Sequence, residues 1–502
     1  MWYAAADSGV RTDRRGSGVI GVRGMKRHGL YLTCLLACSL LQGCAVGPDY
    51  VAPEPELPDF WHVELTRGLT TGEADLQTWW TVFNDPLLDG LILRSAQGNL
   101  DLAEALGRVM ESRALLGIAT GDFSPSADAV GSIQRTRTSE NVVPVILAPA
   151  RRSDTFYQLG LDSSWEIDVW GRIRRSVESA DAGLQATVED YRDVLVSLYA
   201  EVATTYVEVR ALQARIVSSL NNVRTQRGSL KLTQDRRDAG IGSELDVSQA
   251  QLNLATTEAF VPTLRSRLAR AIHRLGVLLG EAPSTLFAEL QSQRPIPGPP
   301  GEILVGLPTE LLRQRPDIRA AERELASQTA RVGVATAELY PRFSLTGFFA
   351  WETFIASETL NGDSRAYSFG PAVRWNLFDG GRIRSAIRAE DARTEQSLAR
   401  YEQTLLRALE DVENAMVAYA QERERRDALA RSVEAARKAV ELVNVLYRTG
   451  LTDFQNVLDS ERSQFQQEDD LAQSEGFVSQ NLIAIYKALG GGWAPLASAT
   501  QP

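Results

Sequence analysis

The sequence predicts a mainly α fold with a transmembrane β-barrel, built from long helices and four strands laid out as an internal tandem repeat. Three observations predict it. The chain repeats itself at a fixed offset, and helical periodicity runs unbroken from Gly171 to Arg236. Four further segments alternate apolar with polar residues over the length that crosses a bilayer as a tilted strand.

The repeat is the strongest of these. YQLGLDSSWEIDVWGRIR from Tyr157 and YSFGPAVRWNLFDGGRIR from Tyr367 align at an offset of 210. Without a gap, that offset pairs Gly160 with Gly370, Trp165 with Trp375, Gly240 with Gly450, and Leu279-Gly280 with Leu489-Gly490. Upstream the offset becomes 216, pairing Asp101 with Asp317 and Pro125 with Pro341. The expected organisation is an upstream segment with a signal peptide (1–43), an N-terminal extended segment (44–85), a first repeat (86–280), a linker (281–306), a second repeat (307–490) and a C-terminal tail (491–502).

Each copy opens with a helix, Asn99–Gly121 and Asp317–Glu338. Strands are expected at 123–138 and 154–169, and again at 341–353 and 366–378. The long helices follow at 171–236 and 381–448. In the first, a stripe from Ile173 through Leu184, Tyr191, Leu198, Tyr206, Leu212 and Leu220 to Val223 recurs with a period near 3.57, between a straight helix and a coiled-coil seam. At ~1.5 Å per residue such a helix is ~100 Å long, so two of them demand a rod or a tube. Gly240 and Gly450 suit helix termination in the left-handed region. Returning helices are expected at Ser243–Leu279 and Asp453–Leu489, with a kink at Pro262 that its repeat mate Ala472 would not share.

Strand parity speaks to the solvent. In 157–169 the odd positions include Tyr157, Leu159, Leu161, Trp165 and Ile167; the even ones include Gln158, Asp162, Ser164 and Glu166. In 367–377 the odd face carries Tyr367, Phe369, Val373, Trp375 and Leu377. Alternation alone also fits a half-buried strand of a soluble sandwich. Strand length and the Tyr and Trp residues near the strand ends instead match a membrane barrel with aromatic girdles. Four strands cannot close a barrel, and an open edge in lipid leaves backbone groups unpaired at several kcal/mol each. Several chains must therefore share one barrel, with 8 strands from two copies or 12 from three.

Composition is compatible with a folded protein: 23% of residues are charged and 44% hydrophobic. Lys26 and Arg27 precede an apolar run from Leu30 to Leu41, which falls short of the roughly 20 residues a spanning helix needs. A basic start and a short apolar stretch make a secretory signal, with Met25 as the expected start and 1–24 as upstream sequence. The quartet Leu41-Gln42-Gly43-Cys44 resembles the bacterial lipobox, in which the cysteine is acylated and becomes the first residue; a plain signal peptide cut elsewhere is the alternative. Ala45 follows, so the Asp that retains lipoproteins at the inner membrane is absent. Cys34 and Cys38 would leave with the signal, and no disulfide could form in the mature chain. Loss of 1–43 removes six basic and two acidic residues, moving the formal charge from −11 to −15 and disfavouring nucleic acid as a partner.

Several stretches together resemble one family: CAVGPDYVAP at 44–53, WWTVFNDPLLDGLI at 79–92, GLPTELLRQRPDIRAAE at 306–322, LYPRFSLTG at 339–347 and YRTGLTDFQNVLDSER at 447–462. They are similar to outer membrane efflux proteins of the TolC/OprM type, in the NodT-like lipoprotein branch. That resemblance implies a homotrimer whose twelve strands make one barrel and whose long helices make a periplasmic tunnel. It implies a passive exit duct that docks on a periplasmic adaptor (a membrane fusion protein) and an inner membrane transporter of the resistance–nodulation–division (RND) class. It implies a lipid on Cys44 and a gate at the helix ends, formed by Tyr447, Arg448, Asp453, Gln455 and Asp459 of the second copy and Asp246 of the first. Three copies of Asp459 about a three-fold axis would favour cations. Gln455 departs from the apolar residue common in this branch, and Arg236-Arg237 replaces the usual aromatic of the first copy.

Rival readings are fewer. His28, His62 and His273 are the only histidines, and the sequence holds no metal-spaced cluster, phosphate loop or nucleophile motif, so neither an enzyme nor a cofactor is expected. A lipid-anchored coiled-coil scaffold or adaptor would share the long helices and the anchor, but would not need strands with aromatic ends. An exit duct for secreted protein has the same architecture as one for small molecules.

Overall fold

The computed structural model describes residues 45–72, 76–137, 139, 153–310 and 314–493; the signal segment, Cys44 and the tail from 494 onward lie outside the described residues. Along the chain come β1 (Leu69–Thr71), α1 (Pro86–Gly98), α2 (Leu100–Gly121), β2 (Ser126–Arg137), β3 (Ser153–Ile167), α3 (Arg172–Asp238) and α4 (Glu244–Leu278). They are followed by α5 (Phe287–Leu290), β4 (Ile303–Val305), α6 (Pro316–Ala337), β5 (Arg342–Thr353), β6 (Arg365–Arg374), α7 (Arg382–Arg448) and α8 (Phe454–Ala488).

The duplication survives in the details. Helices α3 and α7 each have 67 residues, and α4 and α8 each have 35. Both long helices start after a left-handed glycine, Gly171 at φ 81° and Gly381 at φ 89°. A carboxylate holds each start: Asp168 accepts from the backbone N–H groups of Ile173 and Arg174, and Asp379 from those of Gly381 and Ile383. These bonds satisfy donors that have no partner within the helix. The returning helices are capped at the 210 offset by Ser243, which accepts from Asp246 N, and by Asp453, which accepts from Asn456 N. Pro262 lies inside α4, which continues through it as one helix.

Strands β2, β3, β5 and β6 form one antiparallel meander in that order, so the pairing of β3 with β5 joins the two copies. Register puts Leu159 opposite Trp351, Trp165 opposite Leu345 and Phe349 opposite Tyr367. Odd residues meet odd residues throughout, so the four apolar faces merge into one surface. On it Ile133, Leu161, Tyr367, Phe369 and Val373 are between 54% and 80% exposed. A soluble sandwich would cover that face, and the structure leaves it bare. The opposite face carries Asp128, Asp162, Ser164, Thr346 and Glu352. Strand β6 ends at Arg374 rather than near 378 because its partner β5 begins at the facing residue, Arg342, just after Pro341, which has no N–H to give.

Helix α3 is the spine, packed on α1, α2, α4, α6 and α8, while α7 packs on α6 and α8. The predicted stripe is buried at Ile173, Leu198, Val202, Tyr206, Val209, Leu212 and Val223, and emerges only at Leu220. The main core includes an aromatic cluster, where Trp79 stacks on Tyr486 at 5.4 Å and Trp80 meets Tyr199 edge-on at 5.1 Å. Asp85 caps α1 and accepts from the Tyr206 hydroxyl, which explains why WWTVFNDP stands where it does. The linker adds β4, paired in parallel with β1. The first residues of the C-terminal segment belong to this core too: Trp493 donates to Gln314 O and lies under the guanidinium groups of Arg192 and Arg319.

Candidate functional site

The far ends of the helix pairs form the candidate site. Each turn is a Schellman motif: Gly240 N bonds Arg237 O and Ile241 N bonds Arg236 O, while Gly450 N bonds Tyr447 O and Leu451 N bonds Leu446 O. Both glycines take positive φ, 76° and 74°. Between the turns sits a small core of Val443, Tyr447, Phe454, Val457, Leu458 and Ala250. Tyr447 is only 3% exposed and faces Phe454 at 5.5 Å. Burial, reinforced by the charge of Asp246, pushes its hydroxyl pKa up.

Arg236, one of the residues that departs from the family pattern, lies over the Tyr447 ring at 4.7 Å and donates to Tyr447 O at 3.0 Å. This cation–π contact ties the end of α3 to the tip of the second copy. Arg237 turns outward to Asp238 and Glu244. Arg448, Asp453, Gln455 and Asp459 are exposed, and Gln455 donates to Asp459 at 2.9 Å. The site residues therefore divide: Tyr447 builds the tip, whereas Gln455 and Asp459 face away from the chain's own core.

Above the tips, polar side chains tie the second copy's hairpin to the first. Arg215 of α3 makes a two-pronged ion pair with Asp469 of α8, both contacts 2.8 Å and both side chains largely buried. Glu468 accepts from Asn222 at 2.9 Å, Ser218 at 3.1 Å and Arg437 at 2.8 Å. Glu461 accepts from Ser229 of α3 and Asn253 of α4. Sequence reasoning missed this ladder. Its signal was present, because Glu461, Glu468 and Asp469 interrupt the apolar spacing of α8, but such residues read equally well as solvated.

At the other end, the chain just after Cys44 is pinned where the sheet meets the helices. Val46 N donates to Trp170 O at 3.0 Å, and a side chain at Gly171 would come within 2.8 Å of Ala45. Gly47, at φ 93°, lies so close to Gly333 that a Cβ would reach 2.4 Å from its Cα. Arg175, 4% exposed, holds Asp49 at 2.6 Å and the Val46 carbonyl at 3.3 Å. The aromatic ends of the strands are fixed at the same level: Trp165 donates to Phe123 O at 2.9 Å, and its repeat mate Trp375 to Leu339 O at 3.0 Å.

A bare apolar sheet with a polar reverse face, set on helices ~100 Å long, defines a membrane channel with a helical tunnel. The chain belongs to the outer membrane efflux protein family, whose model matches residues 91–281 and 307–491. It is 30% identical over 463 residues to nodulation protein T of Rhizobium leguminosarum bv. trifolii, covering 92% of this chain and 97% of that one. It is 30% identical over 468 residues to the toluene efflux pump outer membrane protein TtgI of Pseudomonas putida, covering 92% and 98%. The solved outer-membrane channel OprN superposes with a TM-score of 0.83 at 40% identity, covering 90% of this chain and all of that one. The open-state channel MtrE of Neisseria gonorrhoeae gives a TM-score of 0.77 at 25% identity, covering 90% and 99%. The protein is an outer membrane efflux channel, with its sheet in the membrane and its helices in the periplasm.

Proposed function

We propose that three copies of this chain close one 12-stranded barrel and one helical tunnel, forming the passive exit duct of a tripartite pump for small molecules. The observation that carries this is the pair of unpartnered flanks. Strands β2 and β6 are the two edges of the four-stranded sheet, which in lipid must find partners. Below them, α2 exposes Met110, Leu115 and Ile118 on one flank, and α7 exposes Leu406 and Val417 on the other. A neighbouring copy would cover both. Relatives named for toluene efflux and for pyoverdine export support small molecules as the cargo.

In this reading Cys44 carries acyl chains. The pinning of Ala45 and Val46 beside Trp170 would hold them at the level of the barrel rim. The helix tips, with Tyr447, Arg448, Asp453, Gln455, Asp459 and Asp246, form the entrance. There the duct meets a periplasmic adaptor and an RND-type transporter of the inner membrane, which supplies the energy. Native mass spectrometry of detergent-extracted protein tests the assembly. A trimer whose subunits begin at acylated Cys44 is expected; a lipidated monomer would sink the shared barrel. Restored efflux of a small organic dye in a channel-deleted strain that retains the cognate pump tests the cargo.

A further inference from the structure

Glu461 is unlike the other carboxylates of the helix seam. It is 3% exposed, and among the described residues no ion pair reaches it. Its partners are the hydroxyl of Ser229 on α3 and the amide of Asn253 on α4, at 3.4 Å for the amide. Charged groups on the helices packed around it have partners of their own. On α8, Arg462 gives its Nε to the Asn253 oxygen, Glu468 holds Arg437 of α7, and Asp459 holds Gln455. On α3, Arg227 pairs with Glu258 of α4 and Lys231 with Asp235; on α7, Lys438 pairs with Glu441. The repeat mate of Glu461 is Gln251, which is exposed, so the duplication did not simply copy this group.

A buried carboxyl with only neutral partners is costly as an anion and comfortable as an acid. The Ser229 hydroxyl fits both forms. Its oxygen also lies 3.5 Å from Thr225 O, so it can donate there while accepting a hydrogen bond from protonated Glu461, or turn and donate to an ionised Glu461. We propose that Glu461 is a proton-sensitive latch between the two hairpins, neutral while the hairpins are packed as seen here and ionised when they part. It acts as a positioning residue for the entrance, holding α8 against α3 and α4 just above the tips.

The sign follows from linkage. Burial raises the pKa of Glu461, with Ser229 and Asn253 opposing the rise. The packed arrangement therefore keeps a proton that the parted one releases in the ordinary glutamate range. Between the ordinary and the raised values, each pH unit shifts the balance toward parting by up to about tenfold. Below that window the latch holds.

The inference rests on the entrance reading only for its effect on transport, so hairpin separation is measured apart from conduction. With no cysteine in the mature chain besides Cys44, labels at Asp238→Cys and Thr449→Cys report the distance between the exposed ends of α3 and α7 by electron–electron resonance, from pH 4.5 to 8.5. The wild type is expected to gain a longer-distance population as pH rises, Glu461→Gln to stay packed throughout, and Ser229→Ala to enlarge the factor by which that population grows across the range. The last change would not arise from a merely structural role, and it keeps the test decisive if the glutamine variant fails to assemble. A wild type flat over this range, or a glutamine variant that keeps the wild-type response, would overturn the latch. Bilayer conductance of the same samples separates the two ideas: a pH-dependent distance without a matching conductance change upholds the latch and removes the tips as the entrance.

Discussion

Arg215 and Asp469 show how much one buried contact carries here. Each lies on a long helix of a different copy, and the pair is two-pronged. Removing one partner strands the other's charge, so Arg215→Ala or Asp469→Ala should cost about 3–5 kcal/mol, read as a shift in the urea midpoint. Replacing both by methionine and leucine should recover most of that loss, because the charges lose their desolvation cost together. At the surface the expectation differs. Asp459→Asn should leave stability within about 0.5 kcal/mol of the parent and lower the cation preference of the open channel, measured by reversal potential under a salt gradient. Motif matching located Tyr447, Asp453 and Asp459, but not their division into interior and exposed groups. That division depends on where Arg236 of the first copy lies in space, and no motif around Tyr447 records that.

The helices and turns were the most legible parts, because their causes are local. The Schellman turns at Gly240 and Gly450 follow from a glycine placed after a basic last turn, and the caps Ser243 and Asp453 keep the same offset. Gly240→Ala and Gly450→Ala should each cost about 1–2 kcal/mol, since a Cβ opposes the left-handed conformation while no neighbour crowds either position. Gly171→Ala should cost more than either and lower the yield of assembled protein, because a Cβ there would strike Ala45. Comparing thermal midpoints of the three variants checks the order. The strand ends were less legible. Parity identifies a strand but not its last pair, and β6 stops where β5 begins.

For the assembled channel, the free edges and the bare apolar face make oligomerisation a matter of hydrogen-bond accounting rather than of affinity alone. The barrel would be the principal anchor and the lipid an aid to targeting and assembly. Cys44→Ser should therefore reduce the amount of assembled trimer, by heat-resistant band intensity, while leaving single-channel conductance unchanged. Loss of conductance in trimers already formed by the variant would count against that division of roles.

Periodicity, parity and the repeat offset are properties of neighbouring residues, so the helices, the strand faces, the duplication and the need for several chains could all be read from the order of amino acids. Which buried groups meet could not. Glu461 and Ser229 lie in different copies, as do Arg215 and Asp469, and the glycine cradle at Gly171, Gly47 and Gly333 joins three distant segments. Such contacts are set by the packing of long helices across the whole chain. A charged residue on a helix looks solvated until the helix beside it is known.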